Sequence, residues 1–273
     1  MTRSMSIALA VAAMAAFGLS ARASSTYDTT LASPNGNTAN TTNNPSWYDG
    51  SGNNTVQGGF TVDSENGIEI GMRAKYRQNA NWIDPTGNVY SVAPGAQTNI
   101  TSGGAGANAA RAAWNYEFSI DLQPGGLGGG GSGLTLADIA ANTTLTITDL
   151  TTGHTSTVNP LTHWGDDTGY GHAIGFTLAA KGTPEVASDW GVQQSENPAF
   201  ADFPLAAFYN MNAPDSYQFT LNVVKNDETV LGSDTIFVNV APLPTSAGVG
   251  FAMLAGLGAI FGLRNIRSRR SQV

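Results

Sequence analysis

Cysteine is absent from all 273 residues, which excludes disulfides, thiolate metal sites and a cysteine nucleophile together. Basic residues are also scarce, twelve against twenty acidic ones for a formal charge of -8, and half of them sit at the chain ends. Arg3 and Arg22 lie in the first 23 residues, and Arg264, Arg267, Arg269 and Arg270 close the sequence. Between them remain Arg73, Lys75, Arg77, Arg111, Lys181 and Lys225 against all twenty carboxylates, so residues 24–241 carry about -14. Such a surface repels phosphate backbones and excludes a nucleic-acid partner. It leaves divalent cations, polyols or plain solubility as its chemical leanings.

A 3.6-residue apolar period is nearly missing as well, which argues against alternating strands and helices. Only 134–142 and 197–209 could form short helices. The glycine run Gly125–Gly133 lacks the Lys-Ser/Thr ending that a phosphate loop needs, and is read as a flexible connector. Serine hydrolase, kinase and dinucleotide fingerprints do not occur. A glycosidase needs two carboxyls that face each other in space, which spacing along a chain does not reveal.

What is present begins with two address-like ends. Met1 to Ala23 has a short basic n-region with Arg3, an apolar run from Ile7 to Leu19, and Ala21-Arg22-Ala23 before Ser24. This small-x-small pattern is what signal peptidase cuts, so 1–23 is expected to be a signal peptide that enters as a helix. At the other end Pro242-Leu243-Pro244 is followed by an apolar stretch from Ala247 to Leu263 and then by the four arginines. Seventeen residues at about 1.5 Å each fall just short of a hydrocarbon core of about 30 Å. The arginines would hold the end of this helix on the cytoplasmic side. The prolines would act as a stiff spacer between fold and helix.

This order, a proline-bracketed motif, a short span and a terminal arginine cluster, resembles the PEP-CTERM sorting domain over residues 242–273, with Leu243 where the family motif has glutamate. The resemblance implies recognition by an exosortase, a membrane-embedded transpeptidase-like enzyme, with transient anchoring in the inner membrane and delivery to the cell surface or extracellular matrix. A permanent single-span anchor is the alternative. The middle of the chain is similar to an ectodomain that recurs in such proteins. The likeness rests on Gly-Ile-Glu-Ile-Gly-Met-Arg-Ala at 67–74, Gly-Asn-Val-Tyr-Ser-Val at 87–92 and Trp-Asn-Tyr-Glu-Phe-Ser-Ile at 114–120. It implies no functional residues.

Residues 24–59 are dominated by Thr, Asn, Ser and Gly, a loose lead with room for one short strand. From 60 to 241 the apolar period is two, the sign of half-buried strands. Ile68, Ile70 and Met72 alternate with Glu69, Gly71 and Arg73. Trp114, Tyr116, Phe118 and Ile120 alternate with polar residues, Leu145 and Ile147 sit among threonines, and Tyr217 to Val223 is followed by the turn Lys225–Glu228 and a strand over 235–240. The expected fold is all-β, an antiparallel β-sandwich of jelly-roll or Ig-like type, flanked by the signal helix and a C-terminal transmembrane helix.

The densest polar cluster runs from His163 through Trp164, Asp166, Asp167 and Tyr170 to His172. Zinc would want a third or fourth fixed ligand, only His154 remains, and a solvated loop is the plainer reading. Calcium suits acidic loops better, yet Asp63-Ser64-Glu65-Asn66-Gly67 reads equally well as a hairpin turn. No cofactor is therefore assigned, with calcium left open. Trp82, Trp114, Trp164 and Trp190 are read as core or rim aromatics. The sequence thus points to a non-enzymatic, sorted surface or matrix protein, and the tail's resemblance implies a place alongside exopolysaccharide. The alternatives are a carbohydrate- or calcium-binding adhesion module, marked by an exposed aromatic row, and a polysaccharide hydrolase, marked by paired carboxyls in a cleft.

Overall fold

The computed structural model describes residues 25–32, 58–77, 83–97, 108–124, 131–164, 168–170 and 187–242. The first sheet has six antiparallel strands. In spatial order they are β1 (Thr26–Thr29), β2 (Phe60–Glu65), β3 (Ile68–Tyr76), β7 (Trp114–Asp121), β11 (Gly191–Glu196) and β10 (Thr168–Tyr170). The second has five, β4 (Val89–Val92), β13 (Val230–Val240), β12 (Asp215–Val224), β8 (Thr144–Asp149) and β9 (Thr155–Val158). A small ribbon pairs β5 (Ala96–Gln97) with β6 (Asn108–Ala112). The all-β expectation holds, with one difference: β4 runs parallel to β13. Such a pair needs a long connection rather than a hairpin, and here more than half the domain separates the two strands.

The period-two runs become these strands because alternate side chains leave opposite faces. Ile70 pairs with Ile120, Met72 with Phe118 and Ala74 with Tyr116 across β3 and β7. Leu145 faces Leu221 and Ile147 faces Phe219 across β8 and β12. These two apolar faces meet in one core cluster that draws members from both sheets. Aromatic rings form its centre. Tyr116 and Phe219 lie 4.9 Å apart between centroids, and Trp114 meets Phe219 edge-on at 89°. Trp114, Trp164 and Trp190 are buried as read from sequence, while Trp82 lies outside the described residues.

Turns follow residue chemistry. Asn66 at φ 51° and Gly67 at φ 73° close the β2–β3 hairpin with the two-residue left-handed loop that matches strand twist. The 63–67 segment is thus a hairpin. Lys225 N–H donates to Thr229 O at 2.8 Å in the β12–β13 turn, with Glu228 at φ 69°. The expected helix at 134–142 shrinks to a 3-10 turn, Leu136–Asp138. The one at 197–209 is a chain of separate turns, with Phe203 bonded to Phe200 and Phe208 and Tyr209 bonded to Leu205. Pro204 has no N–H to carry a helical ladder through this stretch. An unforeseen single-turn helix, Pro160–His163, is capped by Asn159, whose side chain accepts from Leu161 N–H at 3.0 Å.

Two sequence expectations need correction. The end of the glycine run is no loose connector: Ser132 N–H donates to Gly67 O at 2.9 Å and to Leu122 O at 3.0 Å, and its hydroxyl to Leu122 O at 2.6 Å. A Cβ on Gly131 would fall 2.5 Å from Gln123 Cα, so only glycine fits there. Strands β3, β7 and β11 of the first sheet are also not half-buried. Glu69, Arg73, Lys75, Asn115, Glu117, Ser119, Asp121 and Gln193, the polar partners in the alternation, are buried too. Among the described residues no helix is long and apolar enough to cross a membrane. The signal segment 1–23 and the span 247–263 lie outside them.

Candidate functional site

The buried polar layer on the far face of the six-stranded sheet is the densest arrangement of charged side chains among the described residues. Strand β3 contributes Arg73 and Lys75, β7 contributes Asn115, Glu117 and Ser119, and β11 contributes Gln193 and Ser195; register places Arg73 and Ser195 on either side of Glu117. Arg73 Nε donates to Glu117 Oε2 at 2.6 Å and its Nη2 lies 2.5 Å from the same oxygen. Lys75 Nζ stands 3.9 Å from Oε1, which also accepts from Ser195 Oγ at 2.8 Å. Asn115 Nδ2 donates to Ser195 Oγ at 3.1 Å, and Asn197 Nδ2 to Asn115 Oδ1 at 2.8 Å. Arg73 also donates to Gly58 O and lies 4.0 Å over the Phe60 ring.

Both cations and the carboxylate have fully buried side chains. Burial draws the Arg73 pKa down and the Glu117 carboxylate opposes it. Removal of a guanidinium from water is tolerated only with such charge-assisted hydrogen bonds. The arrangement ties three strands together through one carboxylate. A hint existed in the sequence: Arg73, Lys75 and Arg77 are half of the cations between the two chain ends, confined to five positions at the end of β3 and the residue after it.

A second cluster lies between the sheets. Tyr90 reaches from β4 to the edge of β2, donating its hydroxyl proton toward Gly59 O at 2.8 Å and standing 3.1 Å from Thr61 Oγ1. Asp234 on β13 is 2% exposed. Burial, helped by the nearby Asp63 carboxylate, pushes its pKa up to about 8 against the hydrogen bonds from the Thr235 and Met72 backbone. On the opposite face Glu69 accepts Ala32 N–H at 2.8 and 3.0 Å, yet burial still pushes it up to about 7. These groups hold protons that the unfolded chain, with carboxyl pKa values near 4, would release. Their contribution is therefore full below about pH 4 and declines as pH rises toward 7–8. Asp234→Asn should raise the melting temperature at pH 8 and leave it nearly unchanged at pH 4. An equal effect at both pH values in a calorimetric series would rule this out.

The residues singled out in the sequence are dispersed. His163 Nε2 lies 2.8 Å from Asp202 O, and its neighbour Trp164 packs into the core against Phe118 and Tyr116. His154 stacks on Phe208 with centroids 3.7 Å apart. His163 also meets the Trp164 ring edge-on at 4.8 Å, but no second histidine or carboxylate joins them among the described residues, and Gly165–Asp167 and His172 lie outside those. No group of three His, Asp or Glu that could hold a metal occurs among the described residues. The large apolar side chains exposed among them, Tyr27, Leu150, Phe208 and Val230, form no row on a sheet face. Asp63 and Asp234 do approach each other, but inside the sandwich rather than in a cleft. Pro242 is described and exposed. Leu243, Pro244, Arg264, Arg267, Arg269, Arg270, Ala21 and Ala23 lie outside the described residues.

No family model, no curated protein and no solved structure matches the chain.

Proposed function

We propose that this is an exported, exosortase-sorted protein of the bacterial cell surface or extracellular matrix, with a structural or interaction role rather than an enzymatic one. The supporting observation is the way the chain leaves the domain. Val240 is core at 2% exposure, Ala241 N–H makes a last bond to Val92 O at 2.9 Å, and Ala241 and Pro242 are exposed. The last strand, β13, thus closes at Val240, and the first proline of the Pro-Leu-Pro motif is exposed, as a sorting enzyme that needs an accessible extended segment would require. The low cation count and the freedom from cysteine suit a domain that works outside the cell without disulfides.

In this reading signal peptidase cuts after Ala23, the 247–263 span holds the chain transiently in the inner membrane with its arginines inside, and the domain is released to the envelope. In this reading the two sheets form a sandwich of Ig-like or jelly-roll type. The parallel β4–β13 pair favours the Ig-like side, because a jelly roll is built from antiparallel Greek keys. Deletion of residues 242–273 should misroute the protein or strand it before the surface. Cell fractionation and the mass of the mature protein check this. If full-length and truncated chains fractionate alike and end at the same residue, the sorting reading fails.

A further inference from the structure

The outer face of the five-stranded sheet carries no charged side chain on β4, β8, β9, β12 or β13, in a domain that otherwise bristles with carboxylates. Register lines up Thr157, Thr146, Thr220 and Thr235 in one row across four strands. A second row runs Thr155, Thr148, Gln218 and Phe237, and a third Thr144, Asn222 and Ser233. Neighbours within a row are about 4.8 Å apart and rows about 6.8 Å apart. The hydroxyls are held in place by one another: Thr146 to Thr157 at 2.9 Å, Thr148 to Thr155 at 3.1 Å and Thr220 to Thr235 at 3.1 Å. Thr220 Oγ1 also accepts from Gln218 Nε2 at 3.1 Å, and with one O–H and two lone pairs on each hydroxyl every pair keeps hydrogen-bonding capacity for an outside group.

We propose that this face, which has Phe237 as its one ring and a threonine grid in place of an aromatic row, docks a strand of uncharged polysaccharide. Threonine suits any solvated strand, but that preference explains neither four in one row nor the absence of charge. A threonine grid presents a methyl and a hydroxyl at every point, as a sugar presents a C–H face and a hydroxyl rim. The step between neighbours within a row, about 4.8 Å, is close to the rise of one sugar unit in an extended glycan. Fixed hydroxyls lose little entropy on binding. A second copy of the chain fits less well, because the three rows cover about 300–400 Å², half or less of the ~800 Å² per partner of a stable dimer. A polymer can repeat a small contact along its length and gain by avidity. This inference rests on the extracellular reading above, but its test is made in vitro and is independent of sorting.

Affinity electrophoresis of the intact chain in mild detergent, through gels containing hydroxyethyl cellulose, galactomannan or dextran, supplies that test. At least one neutral polymer should retard the protein, with retardation unchanged by salt. The variant Thr146→Val/Thr220→Val/Thr235→Val, which keeps side-chain shape, should bind about tenfold more weakly. Thr220→Glu should do the same, with circular dichroism confirming that both variants are folded. Migration unaffected by every neutral polymer, retardation only in gels of acidic alginate, or a concentration-dependent dimer lost in the same variants would each overturn the proposal.

Discussion

Replacing Glu117 with alanine is expected to destabilise the domain by about 3–5 kcal/mol. The substitution removes the carboxylate that Arg73 holds at 2.6 Å and that Lys75 and Ser195 also face. Two cations with fully buried side chains would then lose the anion between them. At roughly 2–4 °C per kcal/mol for a domain of this size, the melting temperature should fall by about 6–20 °C. The apolar replacement Arg73→Met/Lys75→Met/Glu117→Leu should recover most of that loss, since well-packed hydrophobic groups often substitute for a buried ionic cluster. Urea titration followed by circular dichroism measures both. A Glu117→Ala midpoint indistinguishable from wild type would show that the clamp contributes nothing to stability.

Trp114→Ala should cost a similar amount, about 3–5 kcal/mol, by a different route. Its ring sits 6.4 Å from Phe219, 6.3 Å from Tyr217 and 6.5 Å from Tyr209, between both sheets and the 197–213 loop. Truncation leaves a cavity that three rings from two elements cannot all close. Trp114→Phe should recover part of the loss, because it restores ring packing but not volume. The discriminating measurement is again the urea midpoint, with the slope as a check on compactness. Equal stability of the alanine and phenylalanine variants would mean that the cavity collapses and that the ring is not a keystone.

The strands of the sandwich were legible where one face is apolar and the other polar. Tyr217 to Val223 and Leu145 to Ile147 declare their inward faces directly, and their outward threonines and amides do meet solvent. The same reasoning applied to 68–76 and 114–121 finds the strands but misplaces their polar side. Alternation reports the chemistry of each side chain and is silent on what lies above it. Arg73 and Glu117 look like solvated charges in the sequence, and only register reveals that they pair and are sealed from water. The parallel pairing of β4 with β13 is likewise invisible, because a contact between Tyr90 and Val238 has no local signature. The buried clamp, the Tyr90–Asp234 cluster and the threonine rows all depend on non-local register, whereas the tail motif is read entirely from consecutive residues.

The burial of Arg73 and Lys75 has a consequence for survival in a hostile medium. Proteases that cut after lysine or arginine need accessible, deformable chain around the bond. Two of the six cations between the chain ends lie in the second half of β3, held in register against Glu117 and Asn115 of β7, at 0% exposure. Cleavage there must wait for the sheet to open, so it follows the opening equilibrium rather than the protease concentration alone. A chain frugal with these residues, and hiding part of what it has, presents few sites to trypsin-like enzymes and becomes more vulnerable at those positions only as its fold is loosened.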